Sequence, residues 1–200
     1  MTISGFYTLN YQKANYCKNY YKFNNIIYLF FKQRMKFKFK QKIFEIKKLA
    51  YKNIDKNYIV RINDRNIKYK KKTIKQQINY IKSIRKKGDE IFQLAYKNKL
   101  VATSGFQFYS KINYQGILIV DKNFLGKGYA KYFILSFLIF VSKKYKKKLF
   151  CAVINKNNFN SIRSFKKAGY ILNKQKNNAL YFYINIKTCK VKLRKNITEY

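Results

Sequence analysis

A turn that contains two glycines is the strongest chemical signal in the sequence. The apolar run 116–120 precedes it, and a helix-like segment begins shortly after it at Tyr132. Gly126 and Gly128 let the backbone approach a ligand closely, and the first turn of a helix presents N–H groups without helical partners. The helix dipole and the side chain of Lys127 add attraction for an anion. The segment therefore predicts a phosphate-binding site.

Two common phosphate motifs do not fit this turn. A P-loop requires Gly-Lys-Ser/Thr at a fixed spacing, and the sequence lacks it. A dinucleotide-binding turn needs a third glycine and a carboxylate about 20 residues further on. Here no carboxylate follows Asp121 until Glu199. A tight turn without a ligand remains the alternative to an anion site.

A second segment with chemical potential follows the apolar strand 149–153. Asn158 is placed to cap a helix, because an Asn side chain accepts hydrogen bonds from N–H groups of the first helical turn. Capping alone would explain this residue. The wider pattern comprises Asn158, Ser161, Ile162, Phe165, Lys167, Gly169 and Tyr170.

The composition excludes several kinds of chemistry. The 200 residues include no histidine, so histidine bases, Ser-His-Asp triads and histidine-ligated metal sites are excluded. Three widely spaced cysteines, Cys17, Cys151 and Cys189, indicate a reduced, cytoplasmic protein, and no metal site is predicted. No apolar run reaches about 18 residues, so no membrane span is expected.

The charge is extreme, with 46 Lys and Arg against 7 Asp and Glu and a net charge of +39. Such a chain attracts polyanions. Nucleic-acid readers favour Arg for bidentate contacts, however, and nearly all of this excess is Lys. Abundant Lys, Ile, Asn, Tyr and Phe without Pro or Trp is typical of an AT-rich genome. Nucleic-acid binding is thus disfavoured as a partner assignment but not excluded.

Together the two segments resemble the GCN5-related N-acetyltransferase (GNAT) family. The family's Gln/Arg-x-x-Gly-x-Gly/Ala motif matches residues 125–130, and its Asn-x-x-Ser-Ile segment matches residues 158–162. The resemblance covers roughly residues 40–186. It implies an α/β single domain with a mixed, mostly antiparallel central sheet flanked by helices and a splay between the fourth and fifth strands. It also implies transfer of an acetyl group from acetyl-CoA to a primary amine.

The resemblance also implies which residues bind acetyl-CoA. Backbone groups of Ile119 and Val120 would contact the pantetheine arm, with an oxyanion donor between Ile119 and Asp121. Leu125 occupies the position where Gln or Arg is usual, so one contact to the pyrophosphate is missing. The complete set of implied cofactor residues is Ile119, Val120, Leu125, Gly126, Lys127, Gly128, Tyr129, Ala130, Asn158 and Ser161.

Catalytic residues are not identified by the motifs. Phe165 occupies the position where many relatives carry the tyrosine that protonates the thiolate, so water, Tyr129 or Tyr170 would replace it. Weak candidates for other catalytic roles are Tyr114, Gln115 and Asn158.

Several elements must position these segments. Apolar periodicity predicts strands at 43–46, 91–96, 100–109, 114–120, 149–153 and 180–186. Helices are expected over 55–63, from the Thr73 cap to Gly88, over 132–144 and over 158–167. A turn at 97–99 would join two of the strands as a hairpin. The predicted domain is 37–187, with an N-terminal extension over 1–36 and a basic tail over 188–200.

The acceptor is the least determined feature of the sequence. Arg61 and Arg65 would share a helix face and could bind a nucleotide diphosphate, as in relatives that acetylate nucleotide-linked amino sugars. That subclass often has a histidine on the next helix, where Gln77 stands here. A ribosomal-type N-terminal acetyltransferase, or a non-enzymatic protein that binds nucleic acid or ribosomes, remains an alternative.

Overall fold

A single mixed sheet dominates the fold. The computed structural model describes residues 20–23, 26–31, 33–65, 71–109 and 111–187. Across these residues ten strands form one sheet in the order β1-β2-β3-β4-β5-β6-β7-β8-β10-β9. Their bounds are β1 Tyr20–Phe23, β2 Ile26–Phe31, β3 Arg34–Phe39, β4 Lys42–Lys48, β5 Glu90–Tyr96, β6 Lys99–Phe108, β7 Asn113–Ile119, β8 Leu149–Asn155, β9 Ile171–Lys176 and β10 Ala179–Asn185.

Four α-helices cover the two faces of this sheet in the described part of the chain. They are α1 Lys56–Arg65, α2 Ile74–Lys86, α3 Ala130–Tyr145 and α4 Phe159–Lys167. The larger core lies under α3, in which residues 133–141 are all buried. A smaller core on the other face joins α1 and α2 to the sheet through Tyr58 and Ile81.

The side chains of β7 divide between the two faces, because successive residues of a strand point in opposite directions. Ile117 and Ile119 pack against the larger core. Leu118 and Val120 pack against the smaller core below α1 and α2. The continuous apolar run therefore belongs to a central strand that packs against a core on each face, although residues 117–119 are only partly buried and Gly116 is exposed.

Every strand pairing in the described sheet is antiparallel except that of β7 with β8. The predicted turn after β5 is confirmed: Lys97 and Asn98 have φ values of 48° and 61°, as a two-residue hairpin requires. Lys40 and Gln41, with φ values of 47° and 59°, form a similar turn between β3 and β4.

The sheet differs from the sequence prediction at its edges. The predicted domain start at residue 37 falls inside β3, whose Met35 and Phe37 are core residues, and the sheet continues to β1. Strand β9 was not predicted. The expectations for 1–19 and for the tail at 188–200 lie outside the described residues. No helix in the described ranges is long and apolar enough to cross a membrane.

Candidate functional site

A wedge-shaped gap separates β7 from β8. The two parallel strands pair only at Asn113 with Phe150 and at Tyr114 with Cys151. Beyond that point β7 runs on to Ile119, while β8 remains paired along its whole length with β10 on its other side. The predicted splay between the fourth and fifth strands of the domain, counted from β4, is confirmed. The gap widens toward the carboxyl ends of both strands.

The edge of β7 that faces the gap is set by hydrogen bonds to β6. The N–H groups of Val120 and Asp121 both donate to the carbonyl of Val101, at 2.8 and 3.1 Å. Because backbone groups alternate between the two sides of a strand, those of Ile119 point toward the gap. The carbonyl of Ile119 accepts a 3.3 Å hydrogen bond from Nε of Arg61. The N–H groups of Val120 and Asp121 are therefore engaged with β6, which leaves Ile119 as the predicted donor on the gap side.

The glycine turn lies at the end of β7. Gly126 and Gly128 have φ values of +72° and +76°, which side chains with a Cβ rarely adopt. A Cβ built on either residue would meet no atom within 4 Å, so their outer sides face open space. Helix α3 starts at Ala130, and no side chain caps its N-terminus. The arrangement presents unshielded backbone N–H groups and a helix N-terminus, which together suit an anion.

A lysine from a distant hairpin adjoins the same turn. Nζ of Lys40 donates to the carbonyl of Lys127 at 3.4 Å and lies 5.1 Å from the ring centroid of Tyr129. Leu125 is 38% exposed and offers no polar group at the position where the family usually has one. Sequence reasoning missed Lys40, because its approach depends on pairing between strands and not on any local motif.

The other side of the gap is formed where β8 leads into α4. Oδ1 of Asn158 accepts a 3.1 Å hydrogen bond from the N–H of Ser161 and caps the helix. Asn155 similarly accepts from the N–H of Asn157 at 2.9 Å. Asn158 and Ser161, both predicted as cofactor residues, thus lie in the first turn of α4 directly after β8. The Asn158 side chain serves as a helix cap, which argues against its candidacy as a catalytic group.

Three of the sequence candidates for acid or base chemistry are buried in the larger core or bonded within it. Gln115 donates from Nε2 to the carbonyl of Ile134 at 3.1 Å, and its Oε1 accepts from the hydroxyl of Tyr170. Tyr129 is 6% exposed and packs in an aromatic cluster. Gln115, Tyr129 and Tyr170 are therefore structural residues. Phe165 packs on the Tyr170 ring, with 5.0 Å between ring centroids.

Tyr114 lies on the opposite face of the sheet, where β7 and β8 are still paired. Burial raises its pKa, as do the neighbouring Cys151, Tyr181 and Tyr109. Together with Val153 these tyrosines border an open cavity of about 520 Å³. A phenol with a raised pKa stays protonated at neutral pH, so it can donate a hydrogen bond but does not act as a general base.

A second cavity, of about 390 Å³, lies between α1, α2 and the sheet. Tyr58, Gln77 and Thr103 are among its lining residues, and Gly116 and Leu118 of β7 form part of its floor. Arg61 is not among its lining residues; its Nη1 contacts Asp64 at 3.3 Å and its Nε bonds to the carbonyl of Ile119. The side chain of Arg65 lies outside the described residues. In the ranges that the structure describes, no cluster of three His, Cys, Asp or Glu could hold a metal ion.

Comparison with known proteins identifies the fold. No family model matches the chain, and no curated protein matches it in sequence. It is similar in structure to an acetyltransferase from Salmonella typhimurium solved with acetyl-CoA (TM-score 0.56, 13% identity, 72% of this chain and 94% of that chain). It is also similar to the ribosomal-protein-S5-alanine acetyltransferase of Vibrio fischeri (TM-score 0.58, 14% identity, 75% of this chain and 96% of that chain).

The spermidine N-acetyltransferase of Vibrio cholerae, solved with CoA and spermine, is a third such structure (TM-score 0.61, 14% identity, 74% of this chain and 98% of that chain). A GNAT-family acetyltransferase from Bacillus anthracis is similar as well (TM-score 0.58, 19% identity, 72% of this chain and 95% of that chain). The chain therefore has the GNAT fold, as the two sequence motifs predict.

Proposed function

We propose that the protein is an acetyl-CoA-dependent N-acetyltransferase that acts on a primary amine. The observation that carries the proposal is the separation of β7 from β8 after two paired positions, with a glycine turn and a helix N-terminus at its wide end. A long, thin ligand that ends in phosphates suits such a gap, because a strand edge can bind an amide-containing arm and the helix N-terminus can bind the phosphates.

The glycine turn fits the cofactor's pyrophosphate. Gly126 and Gly128 leave open space where any side chain would project, so phosphate oxygens can reach the backbone N–H groups. Lys40 and Lys127 supply positive charge at the same place, which compensates for the apolar Leu125. The N–H of Ile119 faces the gap edge and can bind a pantetheine amide, while its carbonyl is engaged by Arg61.

The ligand and the chain contribute different parts of the reaction. Acetyl-CoA, when bound, supplies the activated thioester. The N–H of Ile119 is the backbone donor placed to hydrogen bond a carbonyl in the gap, and rigid strands hold the two reactants in place. With no histidine in the chain, we propose that the amine loses its proton to water before it reacts.

For the acceptor, we propose an amino sugar linked to a nucleotide. The strongly positive chain would attract its phosphates. The second candidate is a protein N-terminus, which the similarity to a ribosomal-protein-alanine acetyltransferase favours. The two are distinguished by following thiol release from acetyl-CoA with each type of acceptor.

The cofactor proposal is tested by thermal unfolding and calorimetric titration with acetyl-CoA. At about 100 times Kd, a ligand should add about 2.7 kcal/mol to the free energy of unfolding. Gly128→Glu should abolish this effect by filling the turn with a side chain and a negative charge. Gly88→Glu is the matched control, since Gly88 also has positive φ (+86°) and open surroundings but lies at the end of α2.

Both variants should lose similar thermal stability, and only Gly128→Glu should lose acetyl-CoA binding. A folded wild-type protein whose melting does not respond to saturating acetyl-CoA would overturn the proposal. Equal acetyl-CoA affinities of the two variants would do the same. Salt-sensitive binding of RNA in place of acetyl-CoA would support the non-enzymatic alternative.

A further inference from the structure

The cavity between α1, α2 and the sheet contains a polar group without a partner. Gln77 is 3% exposed, and its Oε1 has no hydrogen-bond partner among the described residues. A buried carbonyl oxygen without a donor costs free energy, because it has lost its bonds to water. Since Gln77 lines the cavity, a ligand that brings an N–H or O–H group would remove this cost.

The position of Gln77 is fixed by the start of its helix. Thr73 caps α2 by accepting from the N–H of Gln76 at 3.2 Å, and Gln76 Oε1 accepts from the N–H of Thr73 at 2.9 Å. This reciprocal pair defines the first helical turn, to which Gln77 belongs. The unpartnered oxygen is thus presented by a well-anchored element.

The polar neighbours of Gln77 are uncharged at neutral pH. Burial raises the pKa of Tyr58, and hydrogen bonds from Thr103 and Gln77 offset this only in part. The phenol therefore stays protonated. The polar side chains of the cavity wall are the amide of Gln77, the hydroxyl groups of Tyr58, Tyr80 and Thr103, and the amine of Lys72.

The charge of the cavity is positive. Lys72 is the only charged residue among the described residues that line it, and its Nζ lies 4.5 Å from the ring centroid of Tyr80. A carboxylate would raise the pKa of a bound amine and hold it as an unreactive ammonium ion. A neutral amide oxygen accepts an N–H from the neutral, nucleophilic amine without that effect.

The cavity and the gap share strand β7. Gly116 and Leu118 form part of the cavity floor, and the edge of the same strand faces the gap at Ile119. Gly116 lies directly opposite Gly105 of β6, and a Cβ built on Gly116 would meet no atom within 4 Å. The cavity floor and the gap edge therefore belong to neighbouring residues of one strand, so an amine bound in the cavity would lie beside the strand that holds the thioester.

Building on the proposed function, we propose that this cavity is the acceptor site and that Oε1 of Gln77 accepts an N–H of the reacting amine. The site selects an amine carried on a neutral or anionic molecule and disfavours polyamines. Since Gln77 touches the reacting group but supplies no proton acceptor stronger than an amide, its contribution is to bind and orient the amine.

The test combines two substitutions at Gln77 with the same substitutions at Gln175, an exposed residue of β9. Steady-state acetylation is measured with a nucleotide-linked amino sugar, an alanyl peptide and spermidine. The wild type should acetylate one of the first two with at least tenfold higher kcat/KM than spermidine. Gln77→Met should lower that kcat/KM at least tenfold with unchanged acetyl-CoA affinity, and Gln77→Glu should shift the preference toward spermidine. Gln175→Met and Gln175→Glu should match the wild type.

The outcomes separate this inference from the proposed function. Absence of acetyl-CoA binding by the wild type would overturn the proposed function itself. If acetyl-CoA binds, the inference is overturned when spermidine is the best acceptor or when none of the three is acetylated. It is also overturned when folded Gln77 variants, judged by wild-type circular dichroism and acetyl-CoA binding, behave as the Gln175 variants do.

Discussion

Gln115 shows how a residue near the gap can serve the fold and not the reaction. Its amide joins β7 to α3 through the carbonyl of Ile134 and receives the hydroxyl of Tyr170 from the segment before β9. Gln115 and Tyr170 are 4% and 2% exposed, so water cannot replace these bonds. The amide therefore fixes the distance between strand and helix just where β7 leaves β8.

Replacing Gln115 by Leu should lower the free energy of unfolding by about 1–3 kcal/mol, because the Tyr170 hydroxyl and the Ile134 carbonyl lose their bonds to its amide. Urea unfolding measures the loss. The double variant with Tyr170→Phe should be less destabilised than the sum of the two single variants, since both substitutions remove the same hydrogen bond. Strict additivity would contradict the hydrogen-bond network.

Lys40 should contribute to acetyl-CoA affinity through its place beside the glycine turn. An exposed charge contact to phosphate is worth about 1 kcal/mol, so Lys40→Met should weaken binding about fivefold at low salt. Calorimetric titration gives the affinity. Lys97→Met is the control, because Lys97 begins a hairpin turn with nearly the same φ and carries the same charge. Equal losses in both variants would mean that only overall charge matters.

At the scale of elements, the capping box of α2 supports the helix that carries Gln77. Thr73→Ala removes the oxygen that accepts the Gln76 N–H and should cost about 1 kcal/mol in urea unfolding. Ser83→Ala in the same helix is the comparison, since the Ser83 hydroxyl bonds only to the carbonyl of Tyr80 within the turn. It should be neutral or slightly stabilising because Ala favours helices. A loss as large as that of Thr73→Ala would contradict the role of the cap.

Elements with a clear apolar period could be predicted from the sequence, and two kinds of strand could not. β3 alternates, with Met35 and Phe37 buried, but it adjoins a Tyr- and Asn-rich region that masked the pattern. All six residues of β9 are exposed, so no burial pattern marks this strand. Backbone pairing with β10 defines it, and pairing between strands leaves no local trace in the sequence.

The features of the candidate site also divide into those that a local sequence pattern marks and those that packing between distant segments creates. The glycine turn and the Asn158 cap are local, so residue spacing was enough to predict both. The Tyr170–Gln115 bond, the approach of Lys40 and the unpartnered oxygen of Gln77 depend on packing between distant segments. Residue types alone suggested catalytic roles for Gln115 and Tyr170, whereas in the structure both residues are buried and bonded to each other.

At the scale of the whole molecule, the net charge of +39 must oppose folding through self-repulsion. A few close ion pairs stabilise the folded state. Glu90, which is almost fully buried, contacts Arg85 and Lys48, both at 2.6 Å. Salt screens exposed charges more strongly than buried pairs, so the repulsion among surface lysines is the part that salt relieves.

We therefore expect the melting temperature of the free protein to rise as NaCl increases from about 0.02 to about 0.5 M, where the screening length falls well below about 10 Å. The affinity for acetyl-CoA should fall over the same range, because the same screening weakens attraction of the anionic cofactor. Scanning calorimetry and titration at matched salt measure both. A falling melting temperature would mean that ion pairs such as Lys48–Glu90 outweigh the repulsion, and an affinity independent of salt would mean that neutral backbone groups bind the phosphates without help from the lysines.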